Sequence, residues 1–504
     1  MNKSELSSKT VAELKILAQD LGITRISSKT KNALIEAILQ KQPSEPENKP
    51  VSNISNPEIL KPEKQKTTSD KEKKPNIVLT SVNPQTIIKA PPKQTHPSNQ
   101  NQTNASKFIN NKNLNPNQNP QSNQATNQQS NNFANEATVE VTGILDIMSD
   151  GTHGVLRTHK LVASNKDTYI SISQVKKLKL RRGDLITGTA RLPKENERYY
   201  SLLWIKTVNN TPIDQIKERP GFEDLKPVYP NKQIKLECGQ HPIANRIIDI
   251  LAPIGFGQRA MIVAPPKSGK TFLLKDIAKG INENYPEVHL IVVLIGERPE
   301  EVTDIERSVK GTVYASNFDE SPQDQVTVAE LSLERAKRIA ELGQDVIVLM
   351  DSLTRLARAY NVALPASGRT LSGGLDPVSL YPSKRFFGAA RNFENGASLT
   401  IVATSLVDTG SKMDDVIFEE FKGTGNMELK LDRKLSNKRV FPAIDLLESG
   451  TRNEELLLGN EALHSSWKIR RLLESLGDDA NEALIDRMKS TKTNDEFLNT
   501  LHQY

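Results

Sequence analysis

The segment that decides the fold is Ala264-Pro-Pro-Lys-Ser-Gly-Lys-Thr271. It follows a short apolar run, 260–264, and opens a helical pattern, so it predicts a phosphate-binding loop between a strand and a helix. In such a loop the backbone N–H groups and the helix dipole hold phosphates. Gly269 lets the backbone approach the ligand, Lys270 is expected to reach the β- and γ-phosphates, and Thr271 is expected to bind Mg²⁺. The segment therefore predicts ATP and Mg²⁺ as cofactors, although its first residue is Ala where the strict pattern has Gly.

Carboxylates end two other apolar runs. Asp351 closes the run 345–351 and is expected to hold Mg²⁺ through its water shell. Glu297 follows the run 290–295 and is the candidate general base, because a carboxylate at the carboxyl end of a strand can deprotonate a water beside the γ-phosphate. The alternative is that Glu297 is an ordinary acid at a helix N-terminus, since further acids follow it. The sequence thus predicts a catalytic set of Glu297, Lys270 and Asp351.

The surrounding sequence, 241–504, predicts a RecA-like α/β ATPase domain. Continuous apolar runs alternate with helical stretches, which is typical of a parallel sheet covered on both faces. One helix is expected at 323–342, the part from 453 onward is expected to be mostly helical, and strands are expected at 260–264, 289–295, 346–350 and 399–404.

A second domain is predicted at 138–208, joined to the first by a connector, 209–240. Short alternating runs separated by Gly, Asp and Asn turns are typical of a small closed barrel, and an oligonucleotide-binding, cold-shock-like fold is the leading candidate. The expected strands are 139–148, 155–158, 168–172, 185–192 and 199–208.

The first 137 residues differ in composition from the rest. Residues 1–40 predict a small helical unit whose basic edges either contact nucleic acid or form a solvated face. Residues 41–137 are rich in Asn, Gln, Pro and Lys and cannot bury enough apolar surface to offset their ordering entropy. They predict a disordered insert, which serves as a linker or as a self-association segment.

Composition excludes several classes of protein. A single cysteine, Cys238, excludes a disulfide framework and every multi-cysteine zinc site. The net charge of +6 permits an anionic partner without requiring one. No run of about 18 apolar residues and no apolar signal core occur. These features predict a cytoplasmic protein without a membrane partner.

The phosphate-binding segment belongs to a longer set of motifs, which together resemble those of the Rho family of bacterial transcription termination factors. The set includes Ile295-Gly-Glu-Arg-Pro-Glu-Glu-Val302, Asp351-Ser-Leu-Thr-Arg-Leu-Ala-Arg-Ala-Tyr-Asn361, Pro365-Ala-Ser-Gly-Arg-Thr-Leu-Ser-Gly-Gly374, Gly410-Ser-Lys-Met413 and Glu420-Phe-Lys-Gly-Thr-Gly-Asn-Met-Glu428. The resemblance covers about 138–500 and weakly 1–40. It implies a homohexameric, RNA-dependent ATPase and helicase that translocates 5′ to 3′ on the nascent transcript, with RNA polymerase and elongation factors as partners.

The resemblance also implies a nucleotide site with contributions from two subunits. Arg452, as an arginine finger, and Arg439 would reach the nucleotide of a neighbouring subunit, where a guanidinium stabilises transition-state charge. Phe441 would stack on the adenine. The residues that would surround ATP are Gly255, Phe256, Gly257, Gln258, Arg259, Ala260, Lys267, Ser268, Gly269, Lys270, Thr271, Phe272, Arg298 and Phe441.

Two RNA sites follow from the same resemblance. The loops 365–374 and 408–425 are Gly-rich and polar, so neither is expected to serve a core; in the family they line a central pore. The secondary-site residues are Thr370, Leu371, Ser372, Gly373, Gly374 and Lys412, and the primary-site residues in the barrel are Gly151, His153, Arg157, Asp167, Tyr169, Glu197 and Tyr199. In the run 150–157, His153 and Val155 replace two aromatic residues of the family, so the pyrimidine preference is expected to differ.

Two other classes remain open from the residues. A rotary or secretion-type ATPase also joins a small barrel to such a core, and Gly296-Glu-Arg resembles its signature, but its phosphate loop is Gly-rich. A non-enzymatic RNA-binding scaffold would not require Glu297, Lys270 or Arg452, all of which are present.

Overall fold

The computed structural model describes residues 137–501 apart from 159, 217 and 395, together with Leu14, Lys31 and Ile35. Those three residues are helical, and Leu14 and Ile35 are buried. The rest of the helical unit predicted at 1–40, and the insert predicted at 41–137 up to its last residue, lie outside the described residues. In the described part of the chain, no helix has the length and apolar composition needed to cross a bilayer.

The first described domain is the predicted barrel. Its strands neighbour one another in the order β3-β2-β1-β4-β5-β6, and β3 also pairs in parallel with β5, which closes the barrel. Alternating residues such as Leu145, Ile170 and Ile186 fill its interior. The bounds are β1 (Thr138–Ile147), β2 (His153–Arg157), β3 (Thr168–Ser171), α1 (Ile172–Lys177), β4 (Leu185–Arg191), β5 (Tyr200–Val208) and β6 (Thr211–Pro212).

The second domain is built on a largely parallel sheet in the order β10-β9-β11-β13-β8-β14-β15. Its central strands are continuous apolar runs, because both faces are covered. The short strands β7 and β12 pair with each other at its margin, and β15 is antiparallel to β14. The bounds are β7 (Pro227–Val228), β8 (Arg259–Ala264), β9 (His289–Glu297), β10 (Thr312–Asn317), β11 (Val346–Asp351), β12 (Arg391–Phe393), β13 (Ser398–Leu406), β14 (Met427–Lys430) and β15 (Gly450–Thr451).

Helices cover both faces of this sheet, as the sequence predicts. One apolar cluster lies on each face, and the C-terminal helices pack on the cluster that contains Ile277 and Ile469. The bounds are α2 (Ile243–Leu251), α3 (Lys270–Asn284), α4 (Pro299–Ser308), α5 (Pro322–Glu341), α6 (Leu353–Ala363), α7 (Pro377–Gly388), α8 (Lys412–Lys422), α9 (Arg433–Asn437), α10 (Asn460–Leu476), α11 (Ala480–Lys489) and α12 (Asn494–Leu501).

The expectation that 408–425 serves no core is wrong. Most of this segment is α8, whose Ile417 and Phe421 are fully buried. Because these residues are four apart, they share one helix face and pack on the core, and the buried Asp414 lies on that face too, whereas the exposed Asp415 and Glu419 lie on other faces. The glycines and charged residues of this segment indicated a loop, although its central part is a short amphipathic helix.

The barrel contacts the ATPase domain through polar groups on α5. Gly183 packs so closely that a Cβ there would lie 2.4 Å from the Glu334 carbonyl carbon. Arg181 pairs with Glu341 at 2.9 Å and Arg182 with Glu330 at 3.2 Å. Both carboxylates project from one helix, which joins the barrel to the second domain.

Candidate active site and nucleic-acid interface

The phosphate loop lies between β8 and α3, as predicted, and two side chains fix its shape. Ser268 Oγ donates to the Pro265 carbonyl at 2.8 Å. Arg433, on α9, donates to the carbonyls of Pro266 and Lys267 at 2.8 and 2.7 Å. Gly269 caps α3 at φ +96°, a backbone conformation that favours glycine. The loop is therefore held from behind by its own hydroxyl and by a distant arginine.

The predicted catalytic residues meet at the carboxyl end of the sheet. Glu297 ends β9 and Asp351 ends β11, and these strands are neighbours. Lys270 Nζ lies 2.7 Å from Glu297 Oε1 and 2.6 Å from Asp351 Oδ2, so one ammonium bridges two buried carboxylates. Thr404 Oγ1 also donates to Asp351 Oδ1 at 2.7 Å. This arrangement concentrates negative charge directly beneath the phosphate loop.

The electrostatics of the pair match an acid–base role. Burial, followed by the negative charge of Asp351, raises the pKa of Glu297 to about 7, against the opposing effects of Lys270 and Arg355. Burial acts to lower the pKa of Lys270, but the charges of Asp351 and Glu297 outweigh it and raise that pKa. Lys270 thus stays charged, whereas Glu297 exchanges its proton near neutral pH.

The sequence analysis did not single out Arg355, which lies on α6. Its Nη1 donates to the Gly296 carbonyl, and its Nη2 lies 3.5 Å from Glu297. Arg355 follows Asp351 by four residues, which was the available signal. The charge of Arg355, like that of Lys270, acts to lower the pKa of Glu297.

Aromatic groups border the loop. A Cβ on Gly269 would lie 3.8 Å from Phe441 Cε1, and the Phe441 side chain is half exposed. Phe272 is 72% exposed, and the Lys275 ammonium lies over its ring, 5.5 Å from the ring centre. Arg298 caps α4 immediately after Glu297. The exposed ring of Phe441 beside the loop provides a flat apolar surface of the kind that an adenine stacks on.

The residues 255–260 lie elsewhere. Residues 255–258 precede β8 and residues 259 and 260 begin it, whereas the phosphate loop follows it, and the five residue steps of that strand span about 17 Å. Gly257, Gln258 and Arg259 instead line a cavity with Arg452. The structure therefore does not bring this segment to the phosphate loop of its own chain, because the two ends of one strand lie at opposite edges of the sheet.

Arg452 is held at that far edge through Asn426. The Arg452 amide donates to the Asn426 carbonyl at 2.9 Å. Gln258 Nε2 donates to the carbonyl and the side-chain oxygen of Asn426, at 3.0 and 2.9 Å. Arg439 lies on the α9 side, between that helix and Phe441, with φ +65°. Asn426 was quoted only within a motif, and its role depends on partners more than 160 residues away.

The two predicted pore segments touch each other. A Cβ on Gly373 would lie 2.4 Å from the Met413 amide nitrogen, so the chain approaches the start of α8 closely at φ +77°. Asn361, on α6, accepts from the Asp376 amide at 2.8 Å. Arg358, also on α6, pairs with Asp414 at 2.6 Å. The secondary-site residues 370–374 and Lys412 are therefore adjacent and are braced by the helix that also carries Arg355.

The barrel places its predicted residues in two groups. The rings of His153 and Tyr169 stack at 5.5 Å with 26° between their planes, and Tyr169 is exposed. By contrast, Asp167 is fully buried and pairs with Arg157 at 2.5 Å, and Arg157 also contacts Asp146 at 3.3 Å. Arg157 and Asp167 are therefore buried, unlike the exposed ring of Tyr169.

The remaining primary-site residues lie in the turn before β2 and in the segment before β5. Glu197 receives two hydrogen bonds from Arg191, at 2.6 and 2.7 Å, which are the first cause lowering the pKa of Glu197 to about 2. The Arg198 guanidinium lies 5.4 Å from the Tyr199 ring centre. Gly151 occupies a turn at φ +66°. The arrangement offers aromatic faces and hydrogen-bonding groups on the outside of the barrel.

Family models match three parts of the chain. They describe the Rho termination factor N-terminal domain at residues 5–47, the Rho termination factor RNA-binding domain at 141–214, and the nucleotide-binding domain of the ATP synthase alpha/beta family at 244–451.

Curated relatives match over most of their length. The transcription termination factor Rho of Bacillus subtilis is 57% identical over 361 residues, which cover 72% of this chain and 84% of the relative. The Rho of Thermotoga maritima is 54% identical over 71% of this chain and 84% of its own, and that of Pseudomonas aeruginosa 53% over 71% and 87%. A solved type III secretion ATPase is 22% identical, with a TM-score of 0.44 over 55% of this chain and 85% of its own, and this likeness carries no argument about function.

Proposed function

Because this chain belongs to the Rho family of transcription termination factors, we propose that it is an RNA-dependent ATPase that moves 5′ to 3′ along a nascent transcript and terminates transcription by RNA polymerase. The observation that carries the proposal is the bridge from Lys270 to Glu297 and Asp351 below a phosphate loop, in one chain with a barrel that exposes stacked rings. The ATPase and RNA-binding domains are both present.

Hydrolysis begins from a site that is charged before the nucleotide binds. When ATP binds, its phosphates compete for the Lys270 ammonium, and Glu297 loses the partner that lies 2.7 Å away. Because Lys270 lowers the pKa of Glu297, its withdrawal makes the released carboxylate a stronger base, which orients and deprotonates the attacking water. Arg355 keeps the carboxylate in position through the contact at 3.5 Å.

The residues present fit a magnesium ion. Asp351 is a buried carboxylate with one oxygen fixed by Thr404, and Thr271 supplies a hydroxyl at the start of α3. Hydroxyl and carboxylate oxygens are the ligands that Mg²⁺ takes beside phosphates. The ion, when bound with ATP, would be held by Thr271 and, through water, by Asp351, and it would neutralise phosphate charge.

A second subunit completes the site. Arg452 lies at the edge of the sheet opposite its own phosphate loop, so it acts on the nucleotide of a neighbour. The residues Gly257, Gln258 and Arg259 line the same cavity, and we assign this whole edge to the neighbour's nucleotide. Arg439, by contrast, lies between α9 and Phe441, beside its own phosphate loop, and its assignment to the neighbour's site follows from the family resemblance alone. A closed ring of six copies supplies one such edge to every site.

RNA is bound at two places. The barrel takes bases on the His153–Tyr169 pair, while the segment 370–374 and Lys412 grip the strand within the ring. The helix α6 carries Arg355 at the carboxylate and Arg358 at α8, so strand binding and hydrolysis act on one rigid element.

The proposal assigns a task to each part of the chain. Residues 138–208 bind RNA, 209–240 connect, and 241–504 hydrolyse ATP. The helical unit, 1–40, and the insert, 41–137, are accessory. The protein acts in the cytoplasm, with RNA polymerase and elongation factors as partners.

The test compares ATP hydrolysis with and without poly(C) RNA, for the parent chain and Glu297→Gln. An RNA-triggered general base predicts strong stimulation, which the variant loses by about two to four orders of magnitude. Hydrolysis that is independent of RNA would contradict the proposal.

A further inference from the structure

The outer surface of the barrel carries a large aromatic side chain with no assigned role. Trp204, on β5, is 61% exposed. A tryptophan buries more apolar area than most side chains, and an indole left on a surface is typical of an interaction site. The local backbone of β5 determines that the Trp204 side chain faces outward.

A β-bulge directs it outward. Leu202 and Ile205 both face the barrel core although they are three residues apart, which regular alternation does not allow. The register against β4 shifts between them, because Trp204 is opposite Thr189 whereas Leu202 is opposite Ala190. Without the extra residue, Trp204 would share the inward face of Leu202. Bulges that re-aim a side chain are common beside functional sites.

The sequence accommodates this bulge at two other positions. Gly188 lies so close that a Cβ there would be 2.2 Å from the Trp204 carbonyl oxygen, so no larger residue fits. Gln174 Nε2, from α1, reaches the carbonyls of Leu202 and Leu203 at 3.5 and 3.3 Å. The outward turn of Trp204 is thus supported by two neighbouring elements.

Trp204 lies near the stacked ring pair. β3 pairs in parallel with β5, and Tyr169 is opposite Ser201. Three residues of strand separate Ser201 from Trp204, which is about 10 Å. Tyr169 stacks on His153 at one end of this path. A single-stranded nucleic acid that leaves the ring pair along β5 therefore meets the indole next.

The chemistry beside the indole suits the same ligand. Lys206, two residues further along β5, is exposed and pairs with the exposed Glu140 at 2.8 Å. Such a surface pair contributes little free energy, so a phosphate can replace the carboxylate. An aromatic face with a cation beside it is the combination that binds bases and backbone in single strands.

We propose that Trp204 is a base-stacking residue, which extends the RNA path of the barrel from the His153–Tyr169 pair across β5. The inference rests on the proposed RNA-binding function. Oligonucleotide-binding folds engage about four or more nucleotides, more than one stacked pair can contact. Trp204 supplies the second platform for that length.

The chain contains two tryptophans, Trp204 and Trp467, so the variant Trp467→Phe leaves Trp204 as the only indole reporter. In the full chain without nucleotide, a single-stranded oligoribonucleotide of about eight residues is expected to quench its fluorescence. Trp204→Ala is expected to weaken binding of that oligonucleotide roughly 5- to 100-fold, with Trp204→Phe retaining most of the affinity. A dinucleotide is expected to bind both variants as it binds the parent.

Salt and a second variant separate the outcomes. The salt dependence of affinity is expected to be unchanged in Trp204→Ala, because stacking releases no counterions. Tyr169→Ala is expected to weaken both oligonucleotides. If Tyr169→Ala weakens binding while Trp204→Ala changes neither affinity nor the thermal midpoint, and the indole is not quenched, the inference is overturned and the RNA-binding function stands. If no oligonucleotide binds the parent chain, the proposed function itself fails.

Discussion

Arg355 offers the sharpest test of how the site is tuned, because it acts on the candidate base through charge. Its Nη2 lies 3.5 Å from Glu297, and this contact opposes the burial and the Asp351 charge that raise the pKa of Glu297. Arg355→Gln removes the cation and keeps a side chain of similar length. The pKa of Glu297 then rises further, so the base becomes ionised only at higher pH.

The size of the effect follows from the geometry. Two unit charges 3.5 Å apart interact by about 1 kcal/mol in water and about 5 kcal/mol at an effective dielectric constant of 20. Because a third of the Arg355 side chain is exposed, the low end of this range applies, and about 1.4 kcal/mol corresponds to one pH unit. We therefore expect the acid limb of the rate profile to move upward by about one pH unit.

The assay is kcat/KM for ATP as a function of pH at saturating RNA, since this ratio reports ionisations of the enzyme before ATP binds. At pH values below the acid limbs of both profiles, kcat/KM of Arg355→Gln is expected to be roughly tenfold lower than that of the parent. On the alkaline plateau it is expected to approach the parent value. Arg358→Gln is the matched control, because Arg358 lies on the same helix and pairs with Asp414 instead. Its limb is expected to stay in place.

A uniform loss at every pH would refute this reasoning. It would mean that Arg355 contributes only through its hydrogen bond to the Gly296 carbonyl. A limb that moves equally in Arg358→Gln would also refute it, since Arg358 contacts Asp414.

Three other substitutions each test the role of one residue outside the catalytic set. Gly373→Ala is expected to reduce RNA-stimulated hydrolysis several-fold while basal hydrolysis persists, because a Cβ there meets the Met413 amide. Gly368→Ala is the control, since Gly368 also has a positive φ but faces open space. Equal losses in the two variants would mean that the close approach to Met413 is not the cause. Arg246→Leu, which removes a fully buried guanidinium that bonds carbonyls near the C-terminus, is expected to lower the free energy of unfolding by about 3 kcal/mol in urea denaturation; an unchanged midpoint would contradict this. Glu330→Gln is expected to leave RNA affinity intact and to lower the stimulation of hydrolysis by RNA, because it weakens the contact between Arg182 of the barrel and α5. Unchanged stimulation would mean that this contact does not connect RNA binding to hydrolysis.

Much of the fold could be predicted from local pattern. The barrel strands agree with the alternation in the sequence to within about two residues, because one face of each is buried. β10, Thr312–Asn317, was not predicted, since it is a mixed polar strand at the edge of the sheet. The helix α8 was not predicted either, because Gly and charge outweighed its two buried apolar residues in the pattern.

The site divides in the same way. Lys270, Glu297 and Asp351 could be predicted because each ends or follows an apolar strand, and neighbouring parallel strands bring such ends together. Arg433 and Asn426 could not be, because their partners lie more than 160 residues away and no local pattern connects them. The position of 255–260 at the far edge follows from the strand predicted at 260–264, which separates this segment from the phosphate loop.

In the proposed function, hydrolysis pulls a single RNA strand in one direction. This direction can be measured with two templates, each with a single-stranded RNA loading segment: in one a DNA oligonucleotide is annealed on the 3′ side of that segment, and in the other on the 5′ side. When ATP is added, we expect the oligonucleotide to be released from the 3′ side only, and we expect no release with Glu297→Gln. Release from both sides, or RNA-stimulated hydrolysis without any release, would contradict this expectation.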